Sequence, residues 1–90
     1  MKYTVSLSKE ATKELDRLDR KTEKRIQDRL DELLADPYSD RLSNGLVMAP
    51  GRRYSRVGHW RIVYHVIETQ KVIDVSAIQH RSSVYKELKK

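Results

Sequence analysis

Cysteine is absent from this chain. No disulfide framework and no thiolate metal site can form, and the composition suits a reducing cytoplasm. Long apolar runs are missing too. No stretch approaches the roughly 18 apolar residues that a membrane span requires, and the opening MKYTVSLSKE has no apolar core of a secretory signal. These absences predict a soluble, cytoplasmic protein with no membrane association. Proline and glycine are scarce: both prolines and two of the three glycines fall between Asp36 and Gly51. That segment, DPYSDRLSNGLVMAPG, reads as a connection, with Ser43-Asn44-Gly45 as a turn signal and Leu42, Leu46, Val47 and Met48 tacking it onto the body. No repeat or low-complexity run interrupts the rest. Ninety residues make one domain, 1–90, with a modest core.

Acidic residues are also unevenly supplied. Nineteen Lys plus Arg stand against 13 Asp plus Glu, a net charge of +6. Between residues 10 and 40 the acids alternate with bases, as on a solvated helix face. From residue 41 to 86 only Glu68 and Asp74 are acidic, against eight Lys or Arg. The excess positive charge therefore lies in the second half, and it points to a polyanionic partner, nucleic acid or acidic protein.

The chain reads in order as follows. Lys2 to Leu7 alternates and forms a first strand. Ser8 caps a helix carrying Ala11, Leu15 and Leu18 at helical spacing, and Asp19 caps a second with the stripe Ile26, Leu30, Leu33 and Leu34. Pro37 ends it. The two helices form an antiparallel hairpin on a sheet. Arg52 to Tyr85, RRYSRVGHWRIVYHVIETQKVIDVSAIQHRSSVY, supplies three extended segments, with a turn near Glu68-Thr69-Gln70. On Trp60 to Ile67, alternation puts Trp60, Ile62, Tyr64 and Val66 on one face and Arg61, Val63, His65 and Ile67 on the other. Both faces are largely apolar, which marks a central strand. Ser82 to Lys90 reads as a short terminal helix. The predicted fold is α+β, β-α-α-β-β-β with a short C-terminal helix, its mostly antiparallel sheet packed against the helix hairpin.

Arg61 is the exception on its strand. Arg56 before it, and Arg81 and Tyr85 after the last strand, can converge on the same place. Guanidinium forks bind phosphate bidentately, and a tyrosine offers a stacking face and a hydroxyl, so the group suits an RNA phosphodiester. The alternative is structural, with Arg61 paired to Glu68 or Asp74.

The element order, with RVGHWRIVY and QHRSSVY in the strands and DPYSDRLSNGL after the helices, resembles the RelE/ParE toxin superfamily over nearly the whole chain. The resemblance is to the RelE branch: toxins of type II toxin-antitoxin systems that act as ribosome-dependent mRNA endoribonucleases. They cut mRNA in the ribosomal A site by attack of a ribose 2′-hydroxyl on the adjacent phosphate, without metal or cofactor. It implies catalytic roles for Arg61, Arg81 and Tyr85, and RNA binding by Arg52, Arg53, Arg56 and His80. It implies as partners a RelB-like antitoxin, in a heterotetramer or higher assembly, and the ribosome with its mRNA. Two departures stand out. Tyr54 occupies a position, two before Arg56, that is often basic, and Gln79 replaces a common glycine. Arginine is a poor base and no lysine lies between Met48 and Gln70, which leaves His80 and His59 as candidates to titrate near neutrality. The same resemblance admits a ParE-like inhibitor of DNA gyrase, or a degenerate member that only binds its antitoxin and regulates their operon.

Overall fold

The structure is a computed structural model describing residues 3–45 and 51–80. Its elements are β1 (Thr4–Leu7), α1 (Lys9–Arg17), α2 (Arg20–Ala35), β2 (Asn44–Gly45), β3 (Arg52–Val57), β4 (Trp60–Ile67) and β5 (Val72–His80). The strands make one five-stranded sheet in the order β1-β5-β4-β3-β2. β1 runs parallel to β5, and the other pairs are antiparallel. β4 is central, as its two apolar faces require. The expected terminal helix, and the contacts expected of Leu46, Val47 and Met48, lie outside the described residues.

Both helices begin where a side chain can satisfy a first-turn amide. Ser8 Oγ accepts from the Ala11 amide at 3.0 Å and donates to the Ser76 carbonyl at 2.9 Å, so one residue caps α1 and anchors it to β5. Asp19 accepts from the Thr22 amide at 3.2 Å. α2 stops at Asp36, before Pro37. The helices bury Ala11, Leu15, Ile26, Leu30 and Leu33 against Ile62, Tyr64, Ile73, Val75 and Ile78 on one face of the sheet. Leu18 and Leu34 pack at the margin of this core.

Strict alternation on β5 cannot bury both Val75 and Ile78, which are three residues apart. The strand solves this with a bulge. The β4 register jumps from Val63↔Ala77 to Tyr64↔Val75, which leaves Ser76 as the extra residue. Its hydroxyl donates to the Val63 carbonyl at 3.3 Å. The phase reset returns Ile78 to the core, where it is 1% exposed. It also decides the face of every residue after Ser76.

The turn expected at Ser43-Asn44-Gly45 takes a different form. The reversal occurs earlier, where the Leu42 and Ser43 amides both donate to the Ser39 carbonyl. Asn44 and Gly45 then pair with Tyr54 and Arg53 as an edge strand. Tyr64 Oη donates to the Pro37 carbonyl at 2.6 Å from the centre of the core and fixes where the connection starts.

Candidate functional site

The β3–β4 hairpin turns through two residues, Gly58 and His59, between the paired Val57 and Trp60. Gly58 has φ +61° while His59 has no positive φ, the pattern of a type II′ turn with glycine in its first central position. A Cβ at Gly58 would also stand 3.4 Å from the Arg25 guanidinium of α2. This tight turn places Arg56 directly opposite Arg61. Cross-strand partners have Cβ atoms about 4.5–5.5 Å apart, and like charges there destabilise a sheet.

Alternation from this pair defines the sheet face that the described helices leave uncovered. Arg52, Tyr54 and Arg56 of β3 lie on it, with Arg61, Val63 and His65 of β4 in register beside them. Arg56 and Arg52 are exposed, while Arg61 and Tyr54 are half-buried. The Arg61 guanidinium lies over the Tyr54 ring, 4.4 Å from its centroid. Arg52 Nη1 donates to the Ser76 hydroxyl at 3.1 Å, so the bulge residue steadies one more cation of this face. Arg56 is held through its backbone. Arg29 reaches from α2, and its Nη1 donates to the Arg56 carbonyl and to Ser55 Oγ, both at 2.8 Å.

The structural alternative for Arg61 is not realised. Neither Glu68 nor Asp74 forms an ion pair with it, and among the described residues neither Arg56 nor Arg61 is bridged to a carboxylate. Glu68 follows the far end of the same strand, seven residues on and about 23 Å away at the strand rise per residue. There it is occupied: Lys71 Nζ donates at 2.8 Å, Tyr3 Oη at 2.8 Å, and Tyr38 Oη also donates. Those donors, Lys71 foremost, hold the Glu68 carboxyl down to about 2. The same hydrogen bond pushes the Tyr38 phenol up to about 12. Asp74 sits in register with His65 and Ser6, away from Arg61.

The structure divides the residues singled out from the sequence. It brings Arg52, Arg56 and Arg61 onto one face. Arg53 is on the other: its Nε donates to Ser43 Oγ at 3.1 Å and its Nη2 to the carbonyls of Tyr38 and Ser43 at 3.3 and 3.4 Å. It fastens the connection, because alternation alone separates it from Arg52. His80 follows the bulge and is the register partner of Trp60, packing edge-on to it at 5.1 Å. It borders a groove of about 520 Å³ beside α1, lined also by Glu10, Glu14, Lys13 and Arg17. Of the histidines, His65 is the one on a β4 position sharing the Arg61 face. Arg81 and Tyr85 lie outside the described residues. Tyr54 was noted in the sequence only as a departure and given no role, although its spacing of two from Arg56 places it on the same face. Nothing in the sequence signals the Arg29 contact.

With this geometry in place, comparison with known proteins assigns the chain. The family model of the ParE toxin of type II toxin-antitoxin systems, parDE, matches residues 5–85, and the chain belongs to this family. The fold is that of the RelE/ParE toxins. It is similar to the isolated Escherichia coli RelE toxin, with TM-score 0.78 and 26% identity over 96% of this chain and 94% of that one. A doubly substituted mutant of that toxin, in complex with an antitoxin RelB peptide, gives TM-score 0.80 and 26% identity over 98% and 95%. The archaeal RelE of the RelE-RelB complex from Pyrococcus horikoshii gives 0.77 and 25% over 90% and 97%. Among curated protein sequences none matches. The protein is the toxin of a type II toxin-antitoxin system.

Proposed function

We propose that this toxin is a ribosome-dependent endoribonuclease that cleaves mRNA in the A site and so stops translation. The observation that carries the reading is the Arg56–Arg61 pair: two cations in register on a sheet face, bridged to no carboxylate among the described residues. A phosphodiester supplies the missing negative charge. In the reaction the ribose 2′-oxygen bonds to phosphorus and the bond to the 5′-oxygen breaks. The 2′-hydroxyl loses a proton and the 5′-oxygen gains one, leaving a cyclic phosphate and a 5′-hydroxyl end. Charge builds on the non-bridging oxygens at the pentacovalent stage, and a donor fixed by a central strand stabilises it without reorganising. Arg61 takes that role. Arg56 and Arg52 bind the backbone to either side, and the resemblance assigns Arg81 a second fork on the phosphate and Tyr85 a place against the nucleotide. No metal or cofactor enters this scheme.

The partners follow from the same reading: a RelB-like antitoxin that neutralises the toxin in a heterotetramer or larger assembly, and the ribosome carrying mRNA. Similar toxins in complex with RelB antitoxins support the first. Co-purification with the small protein encoded alongside tests it, and affinity weaker than micromolar counts against it.

The enzymatic reading is tested by mapping mRNA ends on programmed ribosomes. Wild type is expected to cut in the A site, and Arg61→Ala and Arg81→Ala to lose about 10²-fold or more while still pelleting with ribosomes. If both variants fold and cut within about threefold of wild type, the cluster is structural. The family match to ParE favours the second reading, inhibition of DNA gyrase. A supercoiling assay separates the two: loss of gyrase activity with no ribosomal cleavage selects it.

A further inference from the structure

Tyr54 carries no role in the scheme above, yet its ring lies directly against the Arg61 guanidinium. Arg61 needs such a contact. A free arginine samples many rotamers, and a phosphate-binding fork is useful only when held in place. A carboxylate would hold it, but at a cost to function, because it would occupy the N–H groups meant for the substrate. A guanidinium donates its hydrogen bonds in its own plane. An aromatic ring on its face therefore restrains it while leaving all its donors available. Tyr54 is placed to do this. It pairs with Val63, which makes it the diagonal neighbour of Arg61, and it is fixed by the same β3–β4 register that opposes Arg56 to Arg61. Asn44 of β2 pairs with it on its other side, so the residue is held between two strands.

We propose that Tyr54 is a positioning residue whose ring face holds the Arg61 guanidinium in its phosphate-binding orientation, a role that rests on the endoribonuclease reading. The ring acts through its π face, and the hydroxyl is dispensable. Tyr54→Phe is therefore the conservative variant, and Tyr54→Leu keeps an apolar residue while removing the π face. Tyr54→Ile, with better strand propensity, replaces Leu if that variant melts early.

Two measurements on the full chain test this together. The first is single-turnover cleavage on programmed ribosomes, with pelleting for affinity. The second is the NMR signal of the Arg61 Nε–Hε group, which the ring current of Tyr54 shifts whether or not any RNA is cut. Tyr54→Leu is expected to slow cleavage about 10- to 100-fold with ribosome affinity within about twofold, and to move the Arg61 signal towards that of a free arginine. Tyr54→Phe should retain the rate to within about threefold and keep the signal. A Leu variant that cuts like wild type overturns the proposal. So does a Phe variant that falls as far as Leu, since the hydroxyl would then carry the effect. If wild type cuts nothing, the endoribonuclease reading fails on its own account. The NMR signal then decides the placement of Arg61, and an unchanged shift in Tyr54→Leu overturns it.

Discussion

Arg56 and Arg61 are direct cross-strand partners beside the hairpin turn, two cations in register on one sheet face. The β3–β4 pairing that creates this repulsion is otherwise well supported. Val57 and Ser55 are buried on the opposite face beside Ile62, and Arg29 fastens the Arg56 carbonyl to α2. The scaffold thus sustains an unfavourable pair, and an anion bound between the two relieves it. In the proposed reading, the site for phosphate and the local loss of stability are the same feature.

That coupling gives the first prediction. Arg56→Gln removes one charge and keeps the strand, so the folded protein should gain stability by about 0.2–1 kcal/mol while losing affinity for RNA. The gain should shrink as salt rises, because the repulsion is between partly exposed groups and is screened. Added sulfate should stabilise wild type more than the variant. Urea titrations at low and high ionic strength, and with and without sulfate, measure the three stability effects, and a filter-binding assay measures the RNA affinity. A variant less stable than wild type at low salt contradicts the argument.

Arg53 should behave in the opposite way. Its three hydrogen bonds to Ser43 and Tyr38, with its ring contact to Tyr38, fasten the connection. Hydrogen bonds to a charged group contribute about 1.5–3 kcal/mol. Arg53→Met should cost about 2 kcal/mol, or roughly 8–16 °C in Tm for a domain of this size. Cleavage by the protein that remains folded should stay within about threefold of wild type. Thermal melts and cleavage assays at 15 °C separate the two effects, and a catalytic loss without destabilisation would return Arg53 to the RNA-binding group.

Tyr64 gives a third case, and here the core is at stake. Its hydroxyl supplies a buried hydrogen bond to the Pro37 carbonyl, and both residues are fully enclosed. Tyr64→Phe keeps the ring and leaves that carbonyl with the longer 3.5 Å bond from Ser43 Oγ, a cost of about 1–3 kcal/mol. The connection should also loosen locally. Hydrogen exchange should accelerate at Leu42 and Ser43 in particular, whose amides depend on that loop.

Patterning in the sequence was enough for the two helices and the central strand, because burial stripes and caps are local. Ser8, Asp19 and Pro37 end or begin helices by the bonds they make or refuse to neighbouring backbone. Arg56 and Arg61 were legible as neighbours from their closeness in sequence, while their direct pairing came from the two-residue turn that the structure shows. What lay beyond patterning was set by phase and by distance. The bulge at Ser76 cannot be read from β5 alone, since it exists to bury both Val75 and Ile78, and it carries His80 to the Trp60 side. Arg53 looks like Arg52 in composition and differs from it only by facing the other way. Arg29 meets Arg56 across 27 positions of sequence, a contact that no period encodes.

The last prediction concerns the other end of the sheet, where Glu68 accepts from Tyr3, Tyr38 and Lys71 and so joins β1, the connection and the β4–β5 turn. Lys71, at φ 54°, holds a left-handed conformation that is uncommon for its residue type. Its pairing with Glu68 and its ring contact with Tyr3 help keep it there. The Glu68 carboxyl is depressed to about 2 from an ordinary 4.5. A depressed acid stabilises the folded state above its unfolded value, so this contribution is complete above about pH 4.5 and is lost as pH falls towards 2. The Tyr38 phenol is raised to about 12 from 10. A raised group stabilises below its unfolded value, so that contribution is complete below pH 10 and is lost as pH rises towards 12. Stability should thus fall at both extremes. In Glu68→Gln both slopes should flatten, because one carboxylate causes both shifts, and the neutral-pH Tm should drop, less so at high salt. Tm against pH from 2 to 12 for the two proteins checks this. If the acid slope is unchanged in Glu68→Gln, other carboxylates set it and the clasp at Glu68 contributes nothing to acid stability.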